Sequence, residues 1–241
     1  ILYVVSTPIG NLEDLSPRAV ETLKKVDLIA AEDTRHSGRL MQHFAISTPM
    51  LAVHDHNERQ RAQTLVQKLA EGQSIALISD AGTPLISDPG YHLVSAVRDA
   101  GYRVVPIVGP CALIAGLSVS GLATDRFSFY GFLPAKSSGR KQHLEQLAKV
   151  THTQVFYESP HRIVAMVDDI VSVIGPNRQL VLARELTKTF ETVYGAPASE
   201  VQAWLAADHN QQKGEFVVLI EGAEPEQLQD IGPEEERMLT L

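Results

Sequence analysis

The stretch Ser79-Asp80-Ala81-Gly82-Thr83-Pro84-Leu85-Ile86-Ser87-Asp88-Pro89-Gly90 decides the fold that this sequence predicts. The apolar run Ile75–Ile78 precedes it and the amphipathic residues 91–100 follow it, which predicts a buried strand, a loop of small residues and a helix. We expect Asp88 at the N-cap of that helix and Pro89 at its first position. The loop is either an ordinary turn that needs Gly82 or a site where backbone amides approach a small ligand.

The same pattern recurs on both sides of this stretch in the first half of the chain. Short apolar runs are followed by small or polar residues, with strands predicted at 3–5, 28–31, 51–53, 75–78 and 104–108. Helices are predicted after Ser16-Pro17 and over residues 58–71, the latter ended by Gly72. Near-continuous apolar strands alternating with helices favour a parallel sheet with helices on both faces. Five loops of this kind then lie at one edge of the sheet, where α/β proteins bind ligands.

The second half of the chain predicts another α/β unit with a mixed sheet. Strands are predicted at 127–132, 154–157, 180–183 and 215–220, with a further one at 189–194, and helices at 140–150, 162–174 and 199–207. A run of small residues around 116–125 marks the boundary between the units. We therefore predict an N-terminal α/β domain at 1–118, a C-terminal α/β domain at 119–222, and an acidic linker at 223–241 that leads to a truncated C-terminal segment.

Composition limits the class of protein. The chain has 241 residues and a formal net charge of −8. This charge argues against binding of nucleic acid through the overall charge of the protein. No apolar run approaches the roughly 20 residues of a membrane span, and Ile1-Leu2-Tyr3-Val4-Val5 is typical of a strand rather than a secretory signal. Cys111 is the only cysteine, which fits a reducing cytoplasm.

Several common motifs are absent from the sequence. It contains no Gly-x-Gly-x-x-Gly, no P-loop and no Gly-x-Ser-x-Gly, which disfavours a standard dinucleotide site, a nucleoside-triphosphate site and the usual hydrolase nucleophile. His54 and His56 lack a third matched ligand, so we predict a pair of loop histidines and no metal site.

Polar residues also follow a strand of the second half, at Glu158-Ser159-Pro160-His161-Arg162. They either begin a helix or face the loops of the first domain across a cleft. The basic residues Lys136, Arg140 and Lys141, like Arg35 and Arg39 in the first domain, are either solvated or phosphate contacts. Asp168-Asp169 is predicted to be solvated on the polar face of its helix.

Six motifs in this order resemble a known family: Ser6-Thr7-Pro8-Ile9-Gly10-Asn11-Leu12, Glu32-Asp33-Thr34-Arg35, Ser79 to Gly90, Gly109-Pro110-Cys111-Ala112, Gly131-Phe132-Leu133-Pro134 and Glu158-Ser159-Pro160-His161-Arg162. The series resembles the tetrapyrrole-methylase superfamily and, within it, the branch of ribosomal RNA small subunit methyltransferase I. The resemblance runs from Leu2 to about Gly222. It implies two α/β domains with the cofactor in the cleft between them, and a small helical segment after the acidic linker.

The resemblance also implies a function. Members of this branch use S-adenosylmethionine to methylate the ribose 2′-hydroxyl of a decoding-centre cytidine in 16S ribosomal RNA. A cytoplasmic homodimer is implied, acting on RNA in the assembled small subunit and not on a membrane. Two other functions stay open: methylation of carbon on a precorrin-type tetrapyrrole, and a non-catalytic module that binds RNA or a nucleotide.

The family motifs are carried onto this chain residue by residue. The resemblance implies that these residues bind the cofactor: Pro8, Asp80, Ala81, Gly82, Thr83, Pro84, Ile86, Ser87, Cys111, Ala112, Phe132, Leu133, Ala183 and Gly214. A base is needed to take the proton of the hydroxyl, and the candidates are Glu32, Asp33, His54, Asp55, Glu158 and His161. Of these we favour Glu158 or His161. The predicted RNA contacts are Arg35, Arg39, Lys136, Arg140 and Arg162.

Overall fold

A computed structural model describes residues 1–224, and its first half is a five-stranded parallel sheet. The strand order is β3-β2-β4-β1-β5, with β1 (Leu2–Val5), β2 (Leu28–Ala31), β3 (Met50–Ala52), β4 (Ile75–Ile78) and β5 (Val104–Ile107). The helices are α1 (Pro17–Lys25), α2 (Thr34–His43), α3 (Glu58–Ala70), α4 (Tyr91–Asp99) and α5 (Ala112–Val119), with a 3₁₀ turn at Leu12–Asp14. The parallel sheet predicted from the apolar runs is confirmed.

Hydrophobic clusters cover both faces of this sheet. Leu23 of α1 packs with Ile29 on one face, and Leu65 of α3 packs with Leu77 on the other, all fully or almost fully buried. The Ser16 side chain accepts a hydrogen bond from the Ala19 amide at 3.1 Å, which begins α1 as its sequence predicts. Burial on both faces explains why the strands are apolar throughout.

Two local features of the first domain differ from the predictions. Residues 32–36 were expected as a loop, but Asp33 accepts hydrogen bonds from the Arg35 and His36 amides and thereby begins α2. The prediction that Asp88 caps the next helix is wrong, because Gly90 is the N-cap of α4. Gly90 has φ +131°, and a Cβ there would lie 2.9 Å from carbons of both Leu77 and Leu85. Only glycine allows the chain to turn so tightly into the helix.

The second half forms a five-stranded mixed sheet, as expected. The strand order is β6-β7-β10-β8-β9, in which β6 and β7 are parallel and the other pairs antiparallel. The strands are β6 (Phe127–Phe132), β7 (Thr153–Glu158), β8 (Gln179–Arg184), β9 (Thr192–Pro197) and β10 (Phe216–Ile220), and the helices are α6 (Ser137–Leu147), α7 (Ile163–Val173) and α8 (Ala198–Ala207), with a 3₁₀ turn at His209–Gln212. The observed β9 therefore begins three residues later than the strand predicted at 189–194.

Helix α5 joins the two halves. It follows the last strand of the first sheet but buries Leu113 and Leu117 against Val155 and Val217 of the second sheet. Gly116 permits this contact, because a Cβ at this position would lie 2.9 Å from the Val217 side chain. The two sheets are thus held together by an apolar interface next to the carboxyl ends of the first sheet.

Within residues 1–224, no helix is long and apolar enough to cross a membrane. The acidic linker predicted for 223–241 lies outside the described residues except at its first two positions.

Candidate functional site

A cavity of about 390 Å³ lies between the carboxyl ends of the first sheet and the second domain. The first domain contributes Ile9, Glu32, Asp80, Ala81, Gly82, Thr83, Ile86, Ser87, Asp88, Cys111 and Ala112 to its wall. The second domain contributes Phe132, Tyr157, Glu158, Ser159, Pro160, Ala183, Glu185, Leu186, Lys188, Glu215, Phe216 and Val217. A cavity of this size with an apolar wall and a few polar groups is typical of a small-molecule site.

Three loops of the first domain are tied together at this cavity. The Thr7 amide donates to the Gly82 carbonyl at 2.8 Å, and the Gly82 amide donates to the Thr7 carbonyl at 3.0 Å. The Thr83 hydroxyl donates to the Pro110 carbonyl at 2.9 Å and also lies 2.8 Å from the Ser6 hydroxyl. Gly82 has φ +83°, so the chain turns back here in a conformation that other residues rarely adopt. The loop of small residues is therefore held rigidly against its neighbours.

Backbone strain marks the same loop. Leu85 and Ser87 have φ values of +74° and +62°, an uncommon conformation for residues other than glycine. The strained segment touches the second domain, since a Cβ on Gly131 would lie 2.9 Å from the Ser87 hydroxyl oxygen. Strain of this kind persists where surrounding structure imposes it, and it clusters at ligand sites.

Carboxyl groups gather at one end of the cavity. The Asp80 side chain accepts a hydrogen bond from the Asp33 amide, and the Asp80 amide donates to Glu32. Burial raises the pKa of Asp88 to about 6, and the nearby charges of Glu32, Asp80 and Asp55 add to the rise. Burial also raises the pKa of Glu32. Because these carboxylates repel one another, a cationic group placed among them would be stabilised.

Apolar side chains form another part of the cavity wall. Ile9 and Ile86 come from the first domain, and Leu186 and Val217 from the second. Phe132 also lines the cavity, although its side chain is 54% exposed. An apolar wall that includes an aromatic side chain suits the face of a planar ring.

The structure separates the two side chains that we favoured as the base. Glu158 lines the cavity with a fully buried side chain: its Oε1 accepts from the Ser159 amide at 2.8 Å, and its Oε2 lies 3.3 Å from the Arg162 guanidinium in an ion pair. Among residues 1–224, no donor makes a hydrogen bond to that Oε2. His161 is exposed and does not line the cavity.

Most of the predicted cofactor residues line this cavity: Asp80, Ala81, Gly82, Thr83, Ile86, Ser87, Cys111, Ala112, Phe132 and Ala183. Four others do not line it: Pro8, Pro84, Leu133 and Gly214. Leu133 is buried in the core of the second domain. Gly214 packs against Glu185, whose side chain a Cβ at this position would overlap.

The predicted RNA contacts lie in different environments. Arg35, Arg39 and Lys136 are exposed. The prediction for Arg140 is wrong, because this side chain is 3% exposed and its Nε donates to Asp169 at 2.6 Å. For the same reason, the prediction that Asp169 is solvated is wrong.

Arg162 and the paired histidines also have specific surroundings. Arg162 is 28% exposed, pairs with Glu158 and donates to the Leu133 carbonyl. The ring of His54 lies 3.1 Å from the Asn57 side-chain amide, as in a structured loop. Among residues 1–224, no group of three or more His, Cys, Asp or Glu side chains is placed to hold a metal ion.

Sequence reasoning missed a charged cluster at the second-domain wall. Lys188 binds Glu185 at 2.8 Å and Glu215 at 2.9 Å, and all three residues line the cavity. Glu185 directly follows a buried strand, which is the signal that identified the polar loops of the first domain.

Comparison with known proteins places this architecture in a family. A family model for tetrapyrrole (corrin/porphyrin) methylases matches residues 1–202. Among solved structures, the chain is similar to diphthine synthase, with a TM-score of 0.70 and 14% identity over 92% of this chain and 89% of that one. It is also similar to uroporphyrin-III C-methyltransferase from Thermus thermophilus complexed with S-adenosyl homocysteine, with a TM-score of 0.61 and 17% identity over 91% and 96% of the two chains. These structures share the fold.

Curated relatives are much more similar in sequence. A protein of Vibrio cholerae named ribosomal RNA small subunit methyltransferase I is 58% identical over 241 residues, which cover all of this chain and 84% of that protein. Proteins of the same name from Escherichia coli O157:H7 and Pseudomonas aeruginosa are 56% and 54% identical over 100% of this chain and 84% and 86% of their own lengths. The two-domain fold, the cavity between the domains and these matches together show that the chain belongs to the tetrapyrrole methylase family.

Proposed function

We propose that this protein transfers a methyl group from S-adenosylmethionine to 16S ribosomal RNA, at the ribose 2′-hydroxyl of a decoding-centre cytidine. One observation carries the proposal: over its full length the chain is 54–58% identical to proteins named ribosomal RNA small subunit methyltransferase I. The cavity between the domains supplies the place where donor and acceptor would meet.

The residues of the cavity fit the methyl donor. S-adenosylmethionine, when bound, supplies a methyl group on a positively charged sulfur. The carboxyl groups of Glu32, Asp80 and Asp88 would hold its cationic part. The apolar wall with Phe132 and Val217 would hold its adenine ring. The backbone amides of 80–83 would bind its polar oxygens, as small residues let the main chain approach closely.

Glu158 is the residue that we propose as the base. A hydroxyl is a poor nucleophile until its proton is removed, and a positioned base contributes roughly 10²–10⁴-fold to the rate. Glu158 is a residue of the cavity wall, and its buried Oε2 atom has no hydrogen-bond donor among residues 1–224, so the carboxylate has a position free for that proton. Arg162 stays paired with the carboxylate and holds it in place. Holding the two reactants near attack distance can supply on the order of 7–11 kcal/mol of the barrier.

The RNA acceptor must be attracted by local positive charges, because the protein as a whole is negatively charged. The net charge of −8 repels a polyanion, whereas Arg35, Arg39 and Lys136 are exposed cations that can contact phosphates. An assembled small subunit would position its RNA by shape, which suits a protein with few cationic contacts. We include this partner and a cytoplasmic location in the proposal.

A homodimer is part of the same proposal. Val108, Ile114 and Val119 lie in or next to α5, and their side chains are 74%, 52% and 53% exposed. A second copy of the chain would remove such apolar side chains from water. Light scattering on the purified protein would measure the mass of the particle directly.

The two other functions predict different results in one set of experiments. Calorimetric titration with S-adenosylmethionine tests the cavity, and an absence of binding would leave only the non-catalytic module. Methyl incorporation is then measured in unmodified 30S particles and in a precorrin-type tetrapyrrole. Incorporation into the particle, mapped to one cytidine ribose, is the expected result. Incorporation into the tetrapyrrole alone would refute the proposal.

A further inference from the structure

The loop that follows β8 carries a cation into the cavity. Among residues 1–224, Lys188 is the only lysine, arginine or histidine of the cavity wall, whose other ionisable groups include the carboxyl groups of Glu32, Asp80, Asp88, Glu158, Glu185 and Glu215. Its side chain is 28% exposed, so it is open to solvent and to a ligand. The carboxyl groups of the first domain suit a methyl donor that is itself a cation. The positive charge of Lys188 at the second-domain wall would not attract such a donor.

The loop is held in a strained conformation by many contacts. Glu185 and Thr187 have φ values of +51° and +68°. The Arg184 guanidinium donates to the Phe190 and Lys213 carbonyls at 3.1 and 2.9 Å. Thr187 donates through its amide to the Glu191 side chain at 2.6 Å. Strain that neighbouring contacts impose in this way is characteristic of residues that bind ligands.

Two carboxylates and one packing contact fix the position of the Lys188 side chain. Glu185 and Glu215 bind its Nζ at 2.8 and 2.9 Å. The stem of Lys188 lies over Gly10 in the first domain, where a Cβ would overlap with it. Burial alone would lower the pKa of Lys188, but the hydrogen bonds to both carboxylates outweigh it and the pKa lies above its usual value. The group is therefore a permanent cation at neutral pH and not a base.

The same loop exposes an aromatic ring. Phe190 is 72% exposed, two residues beyond Lys188, and its carbonyl is bonded to Arg184. Sites for unpaired nucleotides combine a cation for the backbone with an aromatic ring on which a base stacks. A fixed cation in the cavity and a ring outside it fit a nucleotide that enters the cleft from the solvent.

We propose that Lys188 contacts the acceptor: its ammonium group donates a hydrogen bond to an oxygen of the reacting nucleotide, either the ribose oxygen that gains negative charge or a phosphate oxygen beside it. This inference rests on the proposed function. The phosphate oxygen is anionic, and the ribose oxygen becomes anionic during the reaction. Both suit a cation whose position is fixed before the substrate binds. Until then, the Glu185 and Glu215 carboxylates accept hydrogen bonds from the ammonium group and hold it in place.

Lys188→Met tests this proposal, with Lys25→Met as the matched control. Lys25 is also paired with a glutamate, Glu21 at 3.2 Å, but it lies at the end of α1 away from the cavity. Single-turnover methylation of unmodified 30S particles is measured at saturating S-adenosylmethionine over a range of particle and salt concentrations. Calorimetry of cofactor binding and thermal unfolding establish that each variant is folded.

The effect of Lys188→Met on methylation depends on which of the two oxygens Lys188 contacts. Contact with the ribose oxygen predicts a fall of roughly 10²–10³-fold in the rate at saturating particle, as for loss of one donor to a developing oxyanion. Contact with the phosphate predicts a higher half-saturation concentration and a salt slope reduced by about 1. A folded Lys188→Met protein that equals wild type in both parameters overturns the proposal. A wild-type protein that does not methylate the particle would instead refute the proposed function.

Glu215→Gln decides the matter if Lys188→Met does not fold. Glu215 is 78% exposed, so we expect its replacement to leave the fold intact, while Lys188 loses one of the two carboxylates that pair with it. The proposal then predicts that Glu215→Gln lowers the half-saturation concentration of the particle or raises the rate. Both effects are opposite to those expected for Lys188→Met. Values equal to or worse than wild type in Glu215→Gln would overturn it.

Discussion

The hydroxyl of Tyr157 accepts a hydrogen bond from the backbone amide of Leu113 at 2.9 Å. Tyr157 belongs to β7 of the second sheet, and Leu113 lies in the first turn of α5, which follows the first sheet. Cys111, the N-cap of α5, makes no side-chain capping bond, so a residue of the other domain satisfies an amide of this helix end. Burial raises the pKa of the Tyr157 hydroxyl, which keeps it protonated. The same ring lines the cavity, so the site and the domain interface share one side chain.

Tyr157→Phe removes that bond and keeps the ring. We expect a loss of about 1–2 kcal/mol in the free energy of unfolding, because a partly buried amide is left without its acceptor. Denaturant unfolding of both proteins measures this loss. Tyr130→Phe is the control, since it keeps the ring that stacks on Phe156 and removes a hydroxyl for which the described part of the chain shows no hydrogen bond. Equal stability of Tyr157→Phe and wild type would contradict the role of this contact.

Replacing either of two helical glycines by alanine should change the stability of the protein, and the two changes should have opposite signs. At Gly116 the new Cβ would lie 2.9 Å from Val217, and overpacking of this kind typically costs about 1–3 kcal/mol. At Gly38 in α2 the nearest atom is the Met50 Cε at 4.0 Å, so alanine gains helix propensity and stabilises the protein by about 0.5–1 kcal/mol. Thermal unfolding of both variants measures the two shifts. A stabilising Gly116→Ala would show that α5 does not lie this close to β10.

Much of the first domain could be predicted because its strands are buried on both faces and appear as short apolar runs. The loops after them could be predicted too, since parallel strands place their carboxyl ends at one edge. Helix α2 was missed because it buries little, with Ser37 and Met41 as its buried residues, and the Asp33 cap was the only strong signal. The Gly90 cap depends on contacts with Leu77 and Leu85 that no local pattern contains.

The charged residues of the second domain could not be assigned from the sequence. Arg140 and Lys136 lie four positions apart in one basic stretch, yet Lys136 is exposed whereas Arg140 points into the protein. What decides between them is Asp169, which lies 29 positions further on and reaches Arg140 only when α6 packs on α7. The Lys188 cluster likewise requires Glu215 from a distant loop. Long-range ion pairs of this kind become visible only in the folded chain.

Arg140→Met should destabilise the protein by about 3–5 kcal/mol, because it leaves the Asp169 carboxylate buried without its main partner. Ser137 still donates to Asp169, and Lys141 lies 3.6 Å away, which places the loss towards the lower end of this range. Denaturant unfolding gives the value. The double variant Arg140→Met with Asp169→Leu should recover much of the loss, since no charge is then buried. A surface-like loss below about 0.5 kcal/mol would contradict the buried pair.

Glu158→Gln and His161→Ala should affect catalysis very differently. Glu158 lines the cavity and we expect its amide variant to lower the single-turnover rate by roughly 10²–10⁴-fold, the usual contribution of a base. His161 is exposed away from the cavity wall, so its alanine variant should keep a rate close to wild type. The rates are measured on 30S particles at saturating S-adenosylmethionine. If Glu158→Gln retains the wild-type rate, the base is another residue.

Asp88 should make cofactor binding depend on pH. Burial raises its pKa to about 6, so below this pH the carboxyl group is protonated and attracts a cation less. We expect the affinity for S-adenosylmethionine to rise as the pH increases from 5 to 7. The rise should be roughly fivefold, which corresponds to one screened charge interaction of about 1 kcal/mol. Calorimetric titration at several pH values measures this, and Asp88→Asn should flatten the profile.

The same raised pKa predicts a stability effect of opposite sign in the protein without ligand. Because folded Asp88 holds its proton more tightly than the unfolded chain, its contribution to stability falls as the pH rises from about 4 to about 6. Asp88→Asn cannot ionise, so its stability relative to wild type should increase over that pH range. Solvent screening limits the gain at this partly exposed group to about 1 kcal/mol. A wild-type protein and an Asp88→Asn variant with parallel stability curves from pH 4 to 7 would show that Asp88 titrates normally. In that case, the carboxylates at this end of the cavity would not repel one another strongly, and a cationic ligand would have no such repulsion to relieve.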